Sequence, residues 1–240
     1  MKRRSLPVSA LSRVISLVQA VAAPVRLHRP SLASAGGPVC YKEPSMSPSA
    51  LPRCDGFDDR GEPLIELVDE QGRALGQMPK LAAHEPPGQL HRAVSIFLVD
   101  SRGRLLLQRR ASSKYHSGGL WSNTCCSHPA PGEDPADASA RRVHQELGID
   151  PVELTEAGTT VYHVTDPVSG LVEREWNHLF VGYALHTPDP DPLEVEDWAS
   201  VPLDELVGMG PDRAFTAWFP TVLDAVLPSL GDLSTQCQRR

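Results

Sequence analysis

The stretch EDPADASARRVHQELG, residues 133 to 148, is the clearest helix in the chain, and its reading decides the fold. Asp134 suits the N-cap, where a carboxylate accepts from free backbone N–H groups, and Pro135 suits the first helical position, where no N–H is needed. Asp137 falls in the first turn, on the favourable side of the helix dipole, and Gly148 supplies the stop. Arg142 and Glu146 stand four positions apart and so share a face. That pair is either an ordinary salt bridge or a cation and a carboxylate placed to act together on one ligand.

Strands surround this helix. Upstream, PLIELVDEQGRALGQ (63 to 77) has two apolar runs about a turn at Glu70 to Gly72, a hairpin signal. HRAVSIFLVDSRGRLLLQRR (91 to 110) repeats that theme about a Ser-Arg-Gly turn and ends in two arginines. Downstream, TTVYHVTD (159 to 166) and GLVEREWNHLFVGYAL (170 to 185) alternate as strands about a Pro/Ser/Gly turn. PDPDPLEVEDWASV (188 to 201) is an acidic loop leading into another strand, and Leu203 to Val207 and Pro211 to Leu227 are predicted helical. Strands come first and helices are laid on them, which makes an α/β or α+β sandwich without internal repeats.

The 240 residues are enough for one domain with extensions, placed at 61–228 with a tail at 229–240. A net charge of -7 speaks against a nucleic-acid partner, so phosphate binding must be local. Five cysteines make an odd count, and Cys125 and Cys126 are neighbours that pair poorly, which points to a reducing, cytoplasmic setting. No run approaches the roughly 18 to 20 apolar residues of a membrane span. Residues 1–60 form an extension. Its first 45 residues are basic and Ser-rich with no acid before Glu43. They fit an organellar transit peptide, read-through to a start at Met46, or, most plainly, a non-native or disordered extension. Residues 33 to 59, dense in Pro, Ser and Gly, are linker-like.

The residues able to carry chemistry are scattered. His84 and His91 flank Glu-Pro-Pro-Gly-Gln-Leu, and His128 lies in TCCSHP (124 to 129) beside Pro129. In VEREW, Glu173 and Glu175 share one face of a strand and Arg174 takes the other. Two adjacent carboxylates repel, so something positive should lie between them. Three imidazoles and two carboxylates would suit a divalent ion of the zinc, manganese or magnesium range. On spacing alone, solvated loop histidines and surface salt bridges fit better. Lys80, Arg109, Arg110, Lys114 and Arg142 are each ordinary solvated charges or, together, a cage for an anion. A structural zinc on Cys125, Cys126 and His128 lacks the two-residue gap that lets paired thiolates chelate one ion.

Glu133, Arg141, Val143, Glu146, Gly148 and Ile149 fall at the spacings of the Nudix box. Ser127 stands for its opening glycine, and Arg142 and Gln145 for two of its acids. That loss counts against a Nudix pyrophosphohydrolase, which remains the alternative. HEPPGQLHRA, RRASSKYHSGGLWSNTCCSHP, RRVHQELGI, VEREW and AFTAW, in order over residues 63 to 220, together resemble type 1 isopentenyl-diphosphate delta-isomerases. The resemblance implies a Nudix-like α/β/α sandwich with a mixed sheet. It also implies interconversion of isopentenyl and dimethylallyl diphosphate, a small-molecule substrate, and no organic cofactor; a monomer is expected. By position, Cys126 matches the catalytic thiol, Glu175 the catalytic glutamate, Tyr162 a hydroxyl near it and Trp218 the aromatic wall. His84, His91, His128, Glu173 and Glu175 match the ligands of one divalent metal, Mn²⁺, Zn²⁺ or Mg²⁺. Glu146, with the backbone carbonyl of Cys126, matches the holder of the diphosphate's Mg²⁺, and Lys80, Arg110, Lys114 and Arg142 match the diphosphate-binding bases. The sequence departs from the family pattern at Thr216-Ala217-Trp218, where a proline usually precedes the tryptophan. It departs again at Gly118-Gly119, which predicts a looser loop before Trp121.

Overall fold

Asp134 caps its helix as its position predicts, accepting from the N–H groups of Ala136 at 2.8 Å and Asp137 at 3.4 Å. In the computed structural model this helix is α2, Pro135–Leu147, and Gly148 closes it in the left-handed region at φ 64°. Residues 56–58, 60–206 and 214–237 are described. The proposed extension, transit segment and linker lie almost wholly outside them. The other elements are β1 (Leu64–Val68), β2 (Ala74–Pro79), α1 (Lys80–His84), β3 (His91–Val99), β4 (Leu105–Arg110), β5 (Trp121–Ser122) and β6 (Cys125–Ser127). After α2 come β7 (Val152–Thr165), β8 (Val172–Tyr183), β9 (Val195–Val201), α3 (Leu203–Leu206) and α4 (Phe219–Cys237).

β3 is the axis of a mixed sheet. It runs parallel to β8 along its whole length, from His91↔Glu175 to Val99↔Tyr183, and antiparallel to β6. The period of two divides its side chains between two cores. Val94, Ile96 and Leu98 pack with Val143 and Leu147 of α2, while Phe97 and Val99 pack with Phe219, Val222, Val226 and Leu230 of α4. Each such side chain stabilises the fold by about 1.5–3 kcal/mol through burial, and a helix on each face makes the expected α/β/α sandwich.

Three expectations fail. The hairpin read at 91–110 opens after a single pair, Val99↔Leu105. Beyond that pair β3 takes β6 as neighbour, and β4 takes β5 and β9. A wedge from a distant segment holds the opening: the Thr124 hydroxyl accepts from Leu98 N–H at 2.9 Å and donates to the Leu106 carbonyl at 2.6 Å. Asn123 Nδ2 donates to the Ile96 carbonyl at 3.1 Å. Local alternation cannot announce a partner supplied from elsewhere. The tail read from residue 229 is also helical to Cys237. α4 continues through Pro228 with Leu230 buried, and Ser234 Oγ donates to the Gly103 carbonyl at 3.0 Å. The apolar stripe 219, 222, 226, 230 outweighs the one helical hydrogen bond that a proline removes. Residues 211–213 of the predicted last helix lie outside the described residues; Phe215 to Trp218 form a bridge and turn, and helix starts at Phe219. Among the described residues no helix is long and apolar enough to cross a membrane.

Candidate active site

Glu173 and Glu175 lie on β8 with both carboxylates buried on one face, as the alternation of VEREW requires, while Arg174 points away and donates to the Gly88 carbonyl. Histidines supply the positive or polar company that two buried carboxylates need. His84 ends α1, His91 begins β3 opposite Glu175, and His128 follows β6, so three elements aim imidazoles at one point. One ligand atom from each of His84, His91, His128, Glu173 and Glu175 lies within 4.8 Å of all the others. The rings are buried, not solvated, which overturns the reading that spacing alone favoured. Backbone carbonyls fix two of them: His84 Nδ1 donates to Lys80 O at 2.7 Å and His91 Nδ1 to Gln89 O at 2.8 Å. Their Nε2 lone pairs therefore face inward.

Those inward nitrogens are poorly satisfied by the protein itself. His84 Nε2 is 3.1 Å from Glu173 Oε2 but off the line of a hydrogen bond, and is left without a partner. His91 Nε2 and His128 Nε2 face each other at 3.1 Å, and His128 Nε2 is 3.2 Å from Glu175 Oε1. Burial, aided by the charge of Lys80, pushes the His128 pKa down to about 3 and keeps the ring neutral. Burial alone would raise both carboxylates, yet the imidazoles beside them, His116 and His84 for Glu173 and His128 and His91 for Glu175, outweigh it and hold both below the usual carboxylate range. A neutral His128, two ionised carboxylates and the unpartnered Nε2 of His84 belong to a donor set that a divalent ion completes.

Glu175 and Cys126 approach from opposite sides of β3. The other oxygen of Glu175, Oε2, accepts from the Tyr162 hydroxyl and from Asn177 Nδ2, the latter at 2.7 Å. Cys126 is paired with Ser95 across β6 and β3; its thiol donates to Asn123 Oδ1 at 2.9 Å and lies 3.6 Å from Ser95 Oγ. Burial pushes this thiol up to about 11, so it keeps its proton near neutrality. Its neighbour Cys125 faces the other way, into the core under α2. A zinc knuckle through both sulfurs is thereby excluded.

Both groups line a cleft of about 510 Å³ including its open mouth, whose lining also holds Lys80, Arg110, Lys114, Arg142, Glu146 and Trp218. Burial lowers Lys80, and it brings Lys114 down to about 8 with help from Arg110, Lys80 and Arg142. Arg142 Nη2 donates to Glu146 Oε1 at 2.5 Å, and Lys114 Nζ pairs with Glu194. The Nε atoms of Arg110 and Arg142 are buried without partners. Trp218 is buried, with the Arg110 guanidinium 5.4 Å over its ring. The missing proline does not free it. Backbone bonds Trp121 N to Ala214 O and Thr216 N to Trp121 O, both 2.9 Å, stitch this segment to β5.

All thirteen side chains matched from the sequence converge on this cleft and its ligand cluster. Four further residues were missed: His116, Asn123, Asn177 and Glu194. Asn177 continues the alternation of Glu173 and Glu175 and could have been read from it. His116 and Glu194 sit in loops, where no periodicity points. The loop before Trp121 is also tighter than its glycines suggest: the Ser117 hydroxyl donates to Asp166, and a side chain at Gly118 would meet the Ser112 carbonyl at 2.8 Å.

Residues 89–219 match the NUDIX domain family. The chain is 58% identical over 171 residues to the isopentenyl-diphosphate Delta-isomerase of Streptomyces griseus, covering 71% of this chain and 87% of that one. It is 48% identical over 169 residues to isopentenyl-diphosphate Delta-isomerase 2 of Aromatoleum aromaticum, covering 69% and 87%. In fold it is similar to the crystal structure of DR0079 from Deinococcus radiodurans, with a TM-score of 0.51 at 18% identity, covering 73% of this chain and 98% of that one. The sandwich, the cleft and these likenesses agree, and the chain belongs to the isopentenyl-diphosphate Delta-isomerase family of NUDIX-domain proteins.

Proposed function

We propose that this chain interconverts isopentenyl and dimethylallyl diphosphate, with Cys126 and Glu175 as its proton-transfer pair. The observation that carries the reading is their placement: a thiol on β6 and a carboxylate on β8, on either side of β3, enter one cleft whose rim holds four basic side chains. Moving a double bond by one carbon adds a proton at one end of the alkene unit and removes one from the other. The two groups are used in opposite order in the two directions.

The intermediate has the character of a tertiary carbocation, so the site needs polarisable, non-nucleophilic walls and little water. The Trp218 face would stabilise such a cation by about 1–2 kcal/mol in a dry site without trapping it. Tyr162 and Asn177 hold one oxygen of Glu175, and Asn123 and Ser95 orient the Cys126 thiol. Lys80, Arg110, Lys114 and Arg142 bind the diphosphate, and that remote binding energy positions the alkene between the pair. Glu146 and the Cys126 carbonyl would hold the Mg²⁺ that accompanies the diphosphate. A second divalent ion, Mn²⁺, Zn²⁺ or Mg²⁺, held by His84, His91, His128, Glu173 and Glu175, would neutralise the paired carboxylates and tune the acidity of Glu175. The same reading makes the protein a cytoplasmic monomer. Its described cysteines, Cys125, Cys126 and Cys237, are free thiols, and one chain supplies every group named.

Turnover of isopentenyl diphosphate with Mg²⁺ by a Cys126→Ala protein tests the assignment. Activity should be lost with the fold intact, and a rate near that of the wild type would remove the thiol from the reaction. Phosphate release from nucleoside diphosphate compounds would instead favour the hydrolase alternative, which Arg142 and Gln145, in place of acids, oppose.

A further inference from the structure

His116 is buried in the loop between β4 and β5, and nothing in the reaction above uses it. Its Nε2 lies 2.8 Å from Glu173 Oε1. A carboxylate oxygen only accepts, so a hydrogen on Nε2 is what would bind the two groups together. The other oxygen of Glu173 is the one that faces His84. The carboxylate is thus held from outside by one imidazole while it turns its second oxygen to the ligand cluster. The opposite side of the His116 ring leans on the aromatic wall, with its centroid 5.8 Å from that of Trp218.

The loop that presents His116 is built at some cost. Ser117 adopts φ 50°, a region that residues other than glycine rarely enter, and its hydroxyl is tied to Asp166 in the turn between β7 and β8. Gly118 sits where a side chain would strike the Ser112 carbonyl, and Arg110 Nη2 donates to the His116 carbonyl at 3.3 Å. Arg110 also stacks over Trp218. Four separate anchors therefore converge on the backbone and neighbours of one imidazole, which is more than a packing residue requires.

We infer that His116 is a positioning residue: it fixes the Glu173 carboxylate for the divalent ion and ties that ligand to the wall formed by Trp218. The inference rests on the metal reading above. Outer hydrogen bonds of this kind orient a ligand and raise its affinity for the ion. Two substitutions separate the donor from the packing. His116→Phe keeps a ring against Trp218 and loses the donor, whereas His116→Gln keeps an N–H near the position of Nε2 and loses the ring.

The test is a Mn²⁺ titration of the full chain, followed by the electron paramagnetic resonance signal of free Mn²⁺, with near-ultraviolet circular dichroism as the check on folding. His116→Phe should weaken Mn²⁺ binding by about tenfold to a hundredfold, and His116→Gln should stay within about threefold of the wild type. Unchanged binding in a folded His116→Phe protein overturns the inference while leaving the metal reading intact. If His116→Phe does not fold, His116→Gln decides, since a loss of tenfold or more there shows that the donor is not what matters. A wild-type chain that takes up no Mn²⁺ overturns the metal reading, and the inference with it.

Discussion

The two ends of the cleft are built in opposite ways. At the ligand end the chain answers its own charges: Glu173 lies between His84 and His116, and Glu175 between the His91 and His128 rings on one side and Tyr162 and Asn177 on the other. At the basic end Lys80, Arg110, Lys114 and Arg142 crowd together, offset by Glu146 and Glu194 and, at Lys80, by Glu173. Both lysines are pushed below their usual pKa there, and two guanidinium Nε atoms are buried without partners. One end is ordered by folding, short of an ion; the other is short of an anion. Under the proposed function, substrate supplies at one end the charge that the fold withholds and places its reacting carbons at the other.

Breaking the ordered end should cost the most. Glu175→Gln removes the proton-transfer group but keeps an amide that Tyr162 and Asn177 can hold. Turnover should fall roughly 10²–10⁴-fold, while affinity for inorganic diphosphate, measured by calorimetry, stays near that of the wild type. Arg142→Ala should do the reverse. Loss of a charge-assisted contact worth about 1.5–3 kcal/mol weakens inorganic diphosphate by about tenfold to a hundredfold and raises KM.

The depressed lysine gives the comparison a pH signature. Lys114 titrates at about 8 in the free protein, chiefly through burial. A bound diphosphate favours its charged form, so binding takes up a proton above that pH, and affinity weakens as pH rises, by at most about tenfold per unit for one proton. Measured between pH 7 and 9.5, inorganic diphosphate should lose affinity with a slope that Lys114→Met lacks. An identical slope in the variant would assign the effect to Lys80, which burial also lowers, and not to Lys114. The smallest effect on chemistry belongs to the wedge. Thr124→Val leaves the Leu98 N–H and the Leu106 carbonyl unpaired, which should cost about 1–3 kcal/mol in denaturant unfolding with turnover retained under native conditions.

The sequence was most legible where chemistry and local periodicity coincide. The caps of α2, the shared face of Glu173 and Glu175 and the i, i+4 pairing of Arg142 with Glu146 all follow from the pitch of a helix or the pleat of a strand. The ligand cluster was not legible in that way. Three histidines far apart in sequence meet only because α1, β3 and the segment after β6 end at one place, and spacing alone left them in solvent. Resemblance supplied their roles, and the fold supplied the reason. The opened hairpin and His116 escaped both approaches, since each depends on a contact with a distant segment, through Thr124 in one case and Glu173 in the other. The helix past Leu227 was not legible either, because the apolar stripe that carries it through Pro228 has its value in the core it reaches.

The central claim is that Cys126 and Glu175 exchange protons with the alkene from the two sides of one cleft. Incubation of isopentenyl diphosphate with the wild-type chain and Mg²⁺ in D₂O, followed by proton and deuterium magnetic resonance, tests it most directly. Deuterium should enter at the terminal methylene as dimethylallyl diphosphate forms, and at the carbon next to the oxygen-bearing one only in isopentenyl diphosphate re-formed by the reverse reaction, and neither isomer formation nor labelling should survive Cys126→Ala. Isomer formed without solvent deuterium, or labelled at an undiminished rate by the Cys126→Ala protein, would contradict it.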